Sequence, residues 1–501
     1  MWPFVVSHPD QEMIRPLGLP AVAYTIARSP YFPLALILAL IFLVYAPVLN
    51  DWFKSDDFFY LRAAQVKAPS QYVIEAFDFR DTSAPADGPG GHYRPLYTIS
   101  ILAEGELFGL HALPYHLVNL LIHLANAALV WLIARKATGR PLIAHIAALV
   151  FALHPSYAMV VGWISELSAL AATLGALVCL WAFMKALDGG ARSRLWYLVS
   201  VTSYLAASLY HPKAAPVLVA LVAYYLLMHH GSLQDRLTLR AGLRFAPYIA
   251  ALSLPMLVIL WLRGHNLELE SSLGYGPHVY RNIMHYLRIA VAPHPLLNSS
   301  TPAMVMGTLT SGLVALLAWS AIGAWPLIDV RKRASHLFAL FWFLASLGPI
   351  ATFVWGAFPR QFYNSGPALA LVVSIFFVTI IDRLPFPRLS RTAGAAILVV
   401  FVVFATQQIL DTARSQEIGA AQSRDFIEEL RQTYPTLPEE TTLYVVGAPF
   451  SLRIFGDVYL VKAVNLYYGD IAILSVPEDK AREIELSPQP NERVFRYSGF
   501  N

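Results

Sequence analysis

Two adjacent carboxylates, Asp56 and Asp57, stand in the stretch LNDWFKSDDFFYLRAAQ, directly after the first long apolar run of the chain. A carboxylate fixed at a membrane edge can take a proton from a hydroxyl as that hydroxyl attacks, which is general-base work. Neighbouring acids are tolerated where a cation or a hydroxyl lies between them. Three cations occur just beyond apolar runs elsewhere: Arg94 in HYRPL, Lys213 in SLYHPKAAP and Arg360 in GAFPRQFYNSGP. A guanidinium forks onto a phosphate, and an ammonium offsets it as a point charge. Carboxylates for an attacking hydroxyl and cations for a departing phosphate are what transfer from a phosphate-linked donor requires.

Other polar groups sit where lipid would penalise them, which makes them functional candidates. His116, Asn119, His123 and Asn126 fall on one helical face, so their stripe must point at protein. His116 and Asn119, nearest the expected outer surface, are candidates to line a cavity, whereas His123 and Asn126 read as interhelical hydrogen-bonding groups. Tyr93 beside Arg94, His154 in FALHPSY, His211 beside Lys213 and Tyr363 after Arg360 complete the candidate lining. Glu166 is a further acid, for the site or for a basic partner within the bundle. Blander roles stay open for two of these residues: Asp56 as a helix N-cap and Lys213 as a snorkelling lysine. A divalent metal is an open question, with Asp57 and Glu166 as the candidate ligands. The single cysteine, Cys179, excludes an internal disulfide and a cysteine-based metal site.

The elements that must carry these groups are membrane helices. The 501 residues are 57% hydrophobic and only 14% charged, with mean hydropathy +0.52, where soluble domains carry about a quarter charged residues. A net charge of +4 is too small to suggest nucleic-acid binding. Crossing a bilayer as a helix takes about 20 apolar residues. Such runs lie near 32–50, 113–134, 141–158, 163–186, 195–210, 214–230, 246–262, 303–328, 336–355, 366–381 and 392–410, which predicts about eleven spans. The stretch 95–109 is short and carries Glu104 and Glu106, so it reads as a helix lying in the interface.

Short cytoplasmic loops concentrate Lys and Arg. With the N-terminus inside, alternate loops hold Arg135/Lys136/Arg140, Lys185/Arg192/Arg194, Arg236/Arg240/Arg244, Arg331/Lys332/Arg333 and Arg383/Arg388/Arg391. The outer turns near 155–163, 211–213 and 356–365 hold only Lys213 and Arg360 between them, so a twelfth span at 95–109, which would invert the arrangement, is rejected. The run 33–49 is too long for a cleaved signal peptide and reads as a signal anchor. The expected organisation is a cytoplasmic segment 1–31, a membrane domain 32–410 whose first outer loop is 51–112, and an extracytoplasmic α/β domain 411–501. In that last region a charged helical stretch, Ser423 to Thr433, precedes β-type runs at 442–447, 458–464 and 471–476.

The acidic pair after the first span, the stretch HYRPLYTISILAEGELFG, HALPYHLVNLLIHLANA at 111–127 and FALHPSYAMVVGWIS at 151–165 together resemble the GT-C membrane glycosyltransferases. The likeness is to the protein O-mannosyltransferases, and to the animal O-mannosyltransferases that join a membrane domain to tetratricopeptide repeats; residues 40–185 carry most of it. The family's turn lysine falls on Lys213, and its Arg-x-x-Tyr on Arg360 and Tyr363. The resemblance implies a polyprenyl or dolichyl phosphate sugar as donor, an acceptor hydroxyl outside the membrane and inversion at the anomeric carbon. It implies Asp56 as the base or acceptor-positioning acid, Asp57 as its assistant, Arg94, Lys213 and Arg360 on the phosphate, and Tyr363 and His154 lining the cavity. The pattern is broken at Met159, Leu167, Ala169 and Ala214, where the family carries charged residues, and the repeats are absent. The acceptor is then a protein, a lipid or a glycan. The expected location is a bacterial inner membrane with the site facing the periplasm. Rival readings are a transporter or flippase of a lipid-linked sugar, and a non-catalytic lipid-binding member of a glycan-assembly complex.

Overall fold

The computed structural model describes Ser29 and residues 31–66, 68–78, 93–229, 232–265, 274–291, 330–354, 356–453 and 457–500. The expected span at 303–328 and most of the segment 1–31 lie outside the described residues. Helices occupy the other ten expected positions, among them Phe32–Tyr45, Ala112–Thr138, Leu167–Ala186, Ser193–Tyr210, Val330–Ala351 and Gly366–Arg383. Among the described residues six helices are long and apolar enough to cross a membrane, or seven if the bent pair Pro141–Ala152 and Pro155–Gly162 is one span. The protein is therefore a multi-pass membrane protein; among the described residues Pro212–Met228 and Ala246–Val258 are shorter apolar helices. The bent pair turns by 49° at Pro155, whose missing N–H and bulky ring stop the first helix from continuing.

Side-chain bonds gather the basic loops at one end of the bundle. Lys136 Nζ pairs with Asp188 at 2.6 Å, Arg140 with Asp382 at 2.5 Å, and Ser335 Oγ donates to the Ala137 carbonyl at 2.7 Å. The acid pair and Lys213 occupy helix ends at the opposite pole of the same hairpins. There the helix Asp56–Val66 packs against Pro95–Phe108, the stretch expected to lie in the interface.

The last part of the chain forms a three-stranded parallel sheet in the order β2-β1-β3, with β1 Thr442–Val446, β2 Ala472–Ser475 and β3 Glu492–Arg496. One expectation needs correction here. The run 458–464 is not a strand: it lies in the helix Val458–Tyr468, which buries Tyr459, Leu460, Ala463 and Val464 on one side. That spacing is helical, and the packing it allows outweighs the β-propensity of its valines. The charged stretch Ser423 to Thr433 is helical as expected, and forms the end of one helix that runs from Pro387 to Thr433. A hydrophobic cluster joins Phe53, Phe58, Tyr97 and Tyr115 to Phe426, Leu443, Leu460 and Val464, seating the sheet and its helices against the acid-bearing turn.

Candidate functional site

The turn 51–57 follows directly from the first span, and its shape depends on buried polar bonds. Ser55 is the one non-glycine residue with positive φ among the described residues, at 49°, a conformation that side chains tolerate only when neighbours fix it. Asp57 supplies part of that fixing. Its Oδ1 accepts from the Ser165 N–H at 3.0 Å and the Ser165 hydroxyl at 2.5 Å, and its Oδ2 accepts from the Lys54 N–H at 3.0 Å. Lys54 Nζ donates to Gln416 Oε1 at 2.9 Å and the Gly162 carbonyl at 3.1 Å, and faces Asp51 at 3.5 Å.

Burial dominates the electrostatics of this turn. It pushes the Asp57 carboxyl up to about 7, against hydrogen bonds from Ser165 and Lys54 that pull it down. It pushes Asp51 up to about 6 and Lys54 down, with their mutual attraction opposing both shifts. Asp56 is also held above the ordinary carboxylate range by burial, offset by a hydrogen bond from Tyr459 and by the positive charges of Arg360 and Arg94. Its Oδ1 is buried and accepts no hydrogen bond. A raised, half-unpaired carboxyl is suited to take up a proton.

Arg94 and Arg360 lie close enough to this carboxyl to act on it, and Lys213 lies near both of them. Arg94 precedes Pro95, which starts the helix Pro95–Phe108 with its fixed φ; the Arg94 Nε is buried without a partner. Lys213 sits on the short 3₁₀ turn Pro212–Ala214, where its backbone N–H donates to His211 Nδ1 at 3.2 Å. Its Nζ lies 5.9 Å from the centre of the Phe353 ring, and it is close enough to Arg94, Arg360 and Glu166 to feel their charges. Arg360 lies 4.8 Å over the Trp163 ring and pairs with Glu166 at 3.4 Å. Glu166 thus takes the role of a basic residue's partner.

Not every expected lining residue reaches this cluster. The Tyr363 hydroxyl bonds to His123 Nδ1 at 2.8 Å and accepts from Asn126 Nδ2 at 3.0 Å, deep in the bundle core. The family Arg-x-x-Tyr therefore splits, with Arg360 at the charge cluster and Tyr363 in a core network alongside Tyr45, Phe151 and Tyr157. His154 stacks on Tyr157 with ring centres 4.9 Å apart. Asn119 donates to the Trp163 carbonyl at 3.0 Å and so shapes the turn that carries Ser165 and Glu166. His116 is fully buried beside Lys54. Tyr93, next to Arg94, is half-buried. Among the described residues no three His, Cys, Asp or Glu side chains converge. Asp57 spends both oxygens on Ser165 and Lys54, and Glu166 faces Arg360, so among the described residues the two acids expected as metal ligands are already engaged.

Sequence reasoning missed Lys54, Ser165, Gln416 and Tyr459. Lys54 had a visible signal, a lysine two residues before the acid pair; the others enter only through tertiary contact. A cavity of about 320 Å³ opens beside the same helix ends, lined by Ser100, Glu104, Leu167, Ala171 and Tyr210 among others.

No family model matches the chain. Over 192 residues, 37% of the chain, it is 28% identical to the human protein O-mannosyl-transferase TMTC2, and over 140 residues it is 29% identical to the Drosophila melanogaster protein O-mannosyl-transferase Tmtc1. Those matches cover 23% and 16% of the two proteins, so the chain spans less than a quarter of the length of the curated relatives it matches. Among solved structures, the Archaeoglobus fulgidus oligosaccharyltransferase tethered to an acceptor peptide superposes with a TM-score of 0.52 at 13% identity, over 88% of this chain and 64% of that one. This chain has the GT-C fold. ArnT from Cupriavidus metallidurans bound to undecaprenyl phosphate gives a TM-score of 0.46 at 15% identity, over 95% and 90% of the two chains. The resemblance read in the sequence is thus borne out in both sequence relatives and fold.

Proposed function

We propose that the protein moves a sugar from a polyprenyl or dolichyl phosphate carrier to an acceptor hydroxyl at the bundle end that bears Asp56. The observation that carries this reading is the buried, unpartnered Oδ1 of Asp56 within reach of the charges of Arg94 and Arg360, with Lys213 beside them. In the reaction the acceptor O–H loses its proton to Asp56 as its oxygen bonds to the anomeric carbon. The bond from that carbon to the phosphate oxygen breaks, its electron pair leaves with the phosphate, and Arg94, Lys213 and Arg360 offset the added negative charge. Attack from the face opposite the leaving group inverts the anomeric centre.

The sequence likeness to O-mannosyl-transferases supports glycosyl transfer, and the basic loops gathered at the opposite end support an outward-facing site under the positive-inside rule. Residues 1–31 would then be cytoplasmic, the sheet-bearing region beyond 411 would lie outside, and in a bacterial inner membrane the site would face the periplasm. A transporter would place its charged groups near the midplane on broken, repeated helices; these groups sit at helix ends. The test is to incubate the purified protein in lipid with a panel of radiolabelled polyprenyl phosphate sugars and a mixture of hydroxyl acceptors. One donor should be consumed, and Asp56→Asn should abolish transfer while still binding that donor. A panel left intact by the wild type, or turnover retained in Asp56→Asn, refutes the proposal.

A further inference from the structure

The region beyond the last span carries no motif tied to chemistry, yet two consecutive residues of the acid-bearing turn are bonded to it. Lys54 Nζ donates to Gln416 Oε1 at 2.9 Å, and Ser55 Oγ donates to the Ser451 carbonyl at 2.9 Å. Both bonds lead back to the helix Pro387–Thr433. The Ser423 hydroxyl donates to the Gly419 carbonyl at 3.0 Å, so its hydrogen is committed, and the Ser451 hydroxyl, 2.7 Å away, donates to it. Gln416 and Ser423, two turns apart, share one face of that helix. The clasp falls on the two residues whose carbonyls start the next helix. The Asp57 N–H donates to the Lys54 carbonyl at 3.1 Å and the Phe58 N–H to the Ser55 carbonyl at 3.3 Å, which holds the backbone of Asp56 between them. Ser55 itself takes a φ of 49°, and a strained residue persists only where its surroundings over-determine it. Ser55, Ser423 and Ser451 are all buried, so little water competes for these bonds.

We infer that Ser55 is a positioning residue: its hydroxyl, held by the Ser451 carbonyl, fixes the backbone from which Asp56 projects. The long helix, through Ser423 and Gln416, thereby sets where that carboxyl stands. The inference rests on the transfer role proposed for Asp56. A base whose backbone is already fixed loses little freedom on reaction. Glycine adopts a positive φ without strain but has no hydroxyl, so Ser55→Gly separates the tether from the backbone conformation. Ser423→Ala loosens the same tether from its far end without altering the turn 51–57 itself.

The test uses full-length wild type, Ser55→Gly and Ser423→Ala in lipid nanodiscs. Hydrogen–deuterium exchange of the Asp57 and Phe58 amides, read by mass spectrometry, reports the clasp without need of turnover. Exchange there is expected to quicken about three- to tenfold in both variants, the size of one neutral hydrogen bond, while the amides of the helix Ala112–Thr138 exchange as in wild type. With the donor identified, Ser55→Gly is expected to lower kcat about tenfold, with donor KM within about twofold. Wild-type exchange at Asp57 and Phe58 in either variant, or wild-type kcat in Ser55→Gly, overturns the inference. Exchange that quickens equally throughout Ala112–Thr138 overturns it too, since that marks general loosening. A wild type that consumes no donor sinks the transfer reading alone, and the exchange rates still decide the clasp.

Discussion

Substituting Asp57 separates the anchor of the site from its base. Three donors converge on this one carboxylate, two backbone N–H groups and the Ser165 hydroxyl, and together they tie the turn 51–57 to the turn carrying Ser165. A hydrogen bond to a charged group contributes about 1.5–3 kcal/mol, and a buried donor left unpaired costs about 1–3 kcal/mol. Asp57→Asn keeps one acceptor oxygen but turns an amide N–H₂ toward a donor, so the expected loss is about 2–4 kcal/mol. Asp57→Ala strands all three donors, for about 4–6 kcal/mol. The pH dependence has a definite sign. Burial lifts the Asp57 carboxyl from its ordinary 3.8 to about 7, so the folded state binds its proton more tightly than the unfolded chain, and the stability gained below that range is lost as pH rises through 7. Thermal unfolding followed by tryptophan fluorescence in detergent, between pH 5 and pH 8, reads both effects. The unfolding temperature should fall in the order wild type, Asp57→Asn, Asp57→Ala, and the decline with pH should flatten in Asp57→Asn. An Asp57→Ala protein that unfolds within about a degree of wild type refutes the anchoring role.

Lys213→Ala and Arg360→Ala each take a cation from the phosphate and are expected to raise the donor KM severalfold; steady-state kinetics on the identified donor check this, and an unchanged KM removes that residue from the phosphate site. Glu104 faces the cavity, and burial pushes its carboxyl from 4.5 up to about 8. The same sign holds as for Asp57, so stability is lost as pH rises through 8, and Glu104→Gln should remove that decline in melts from pH 6 to pH 9. A pH trend identical in wild type and Glu104→Gln would mean the carboxyl is solvated.

Much of the fold was legible because lipid leaves few choices: an apolar run of sufficient length has to be a helix. The acid pair, the helix 95–108 and the basic loops followed from charge placement along such runs. What failed depends on contacts distant in sequence. In VYLVKAV the alternating valines favour a strand in isolation, but Leu460, Ala463 and Val464 face a waiting apolar surface and the helix wins. The strand at 492–496 pairs in parallel with residues fifty positions earlier, and no local pattern announces that partner. At the site, residue type singled out the cations, since a lone Arg or Lys at a helix end has few other uses. It failed for Tyr363, because whether a tyrosine lines a hollow or closes a core network depends on who else is there, in this case His123 and Asn126.

The helix Pro387–Thr433 has 47 residues; at 1.5 Å per residue it is about 70 Å long, more than twice the thickness of a hydrocarbon core. It works as a ruler, setting the height and heading at which Gln416 meets Lys54 of the first loop and Ser423 meets Ser451. Each residue added within its buried half would turn everything above by about 100° and lift it by about 1.5 Å. Its length therefore helps set the geometry of the candidate site as much as the side chains that it carries.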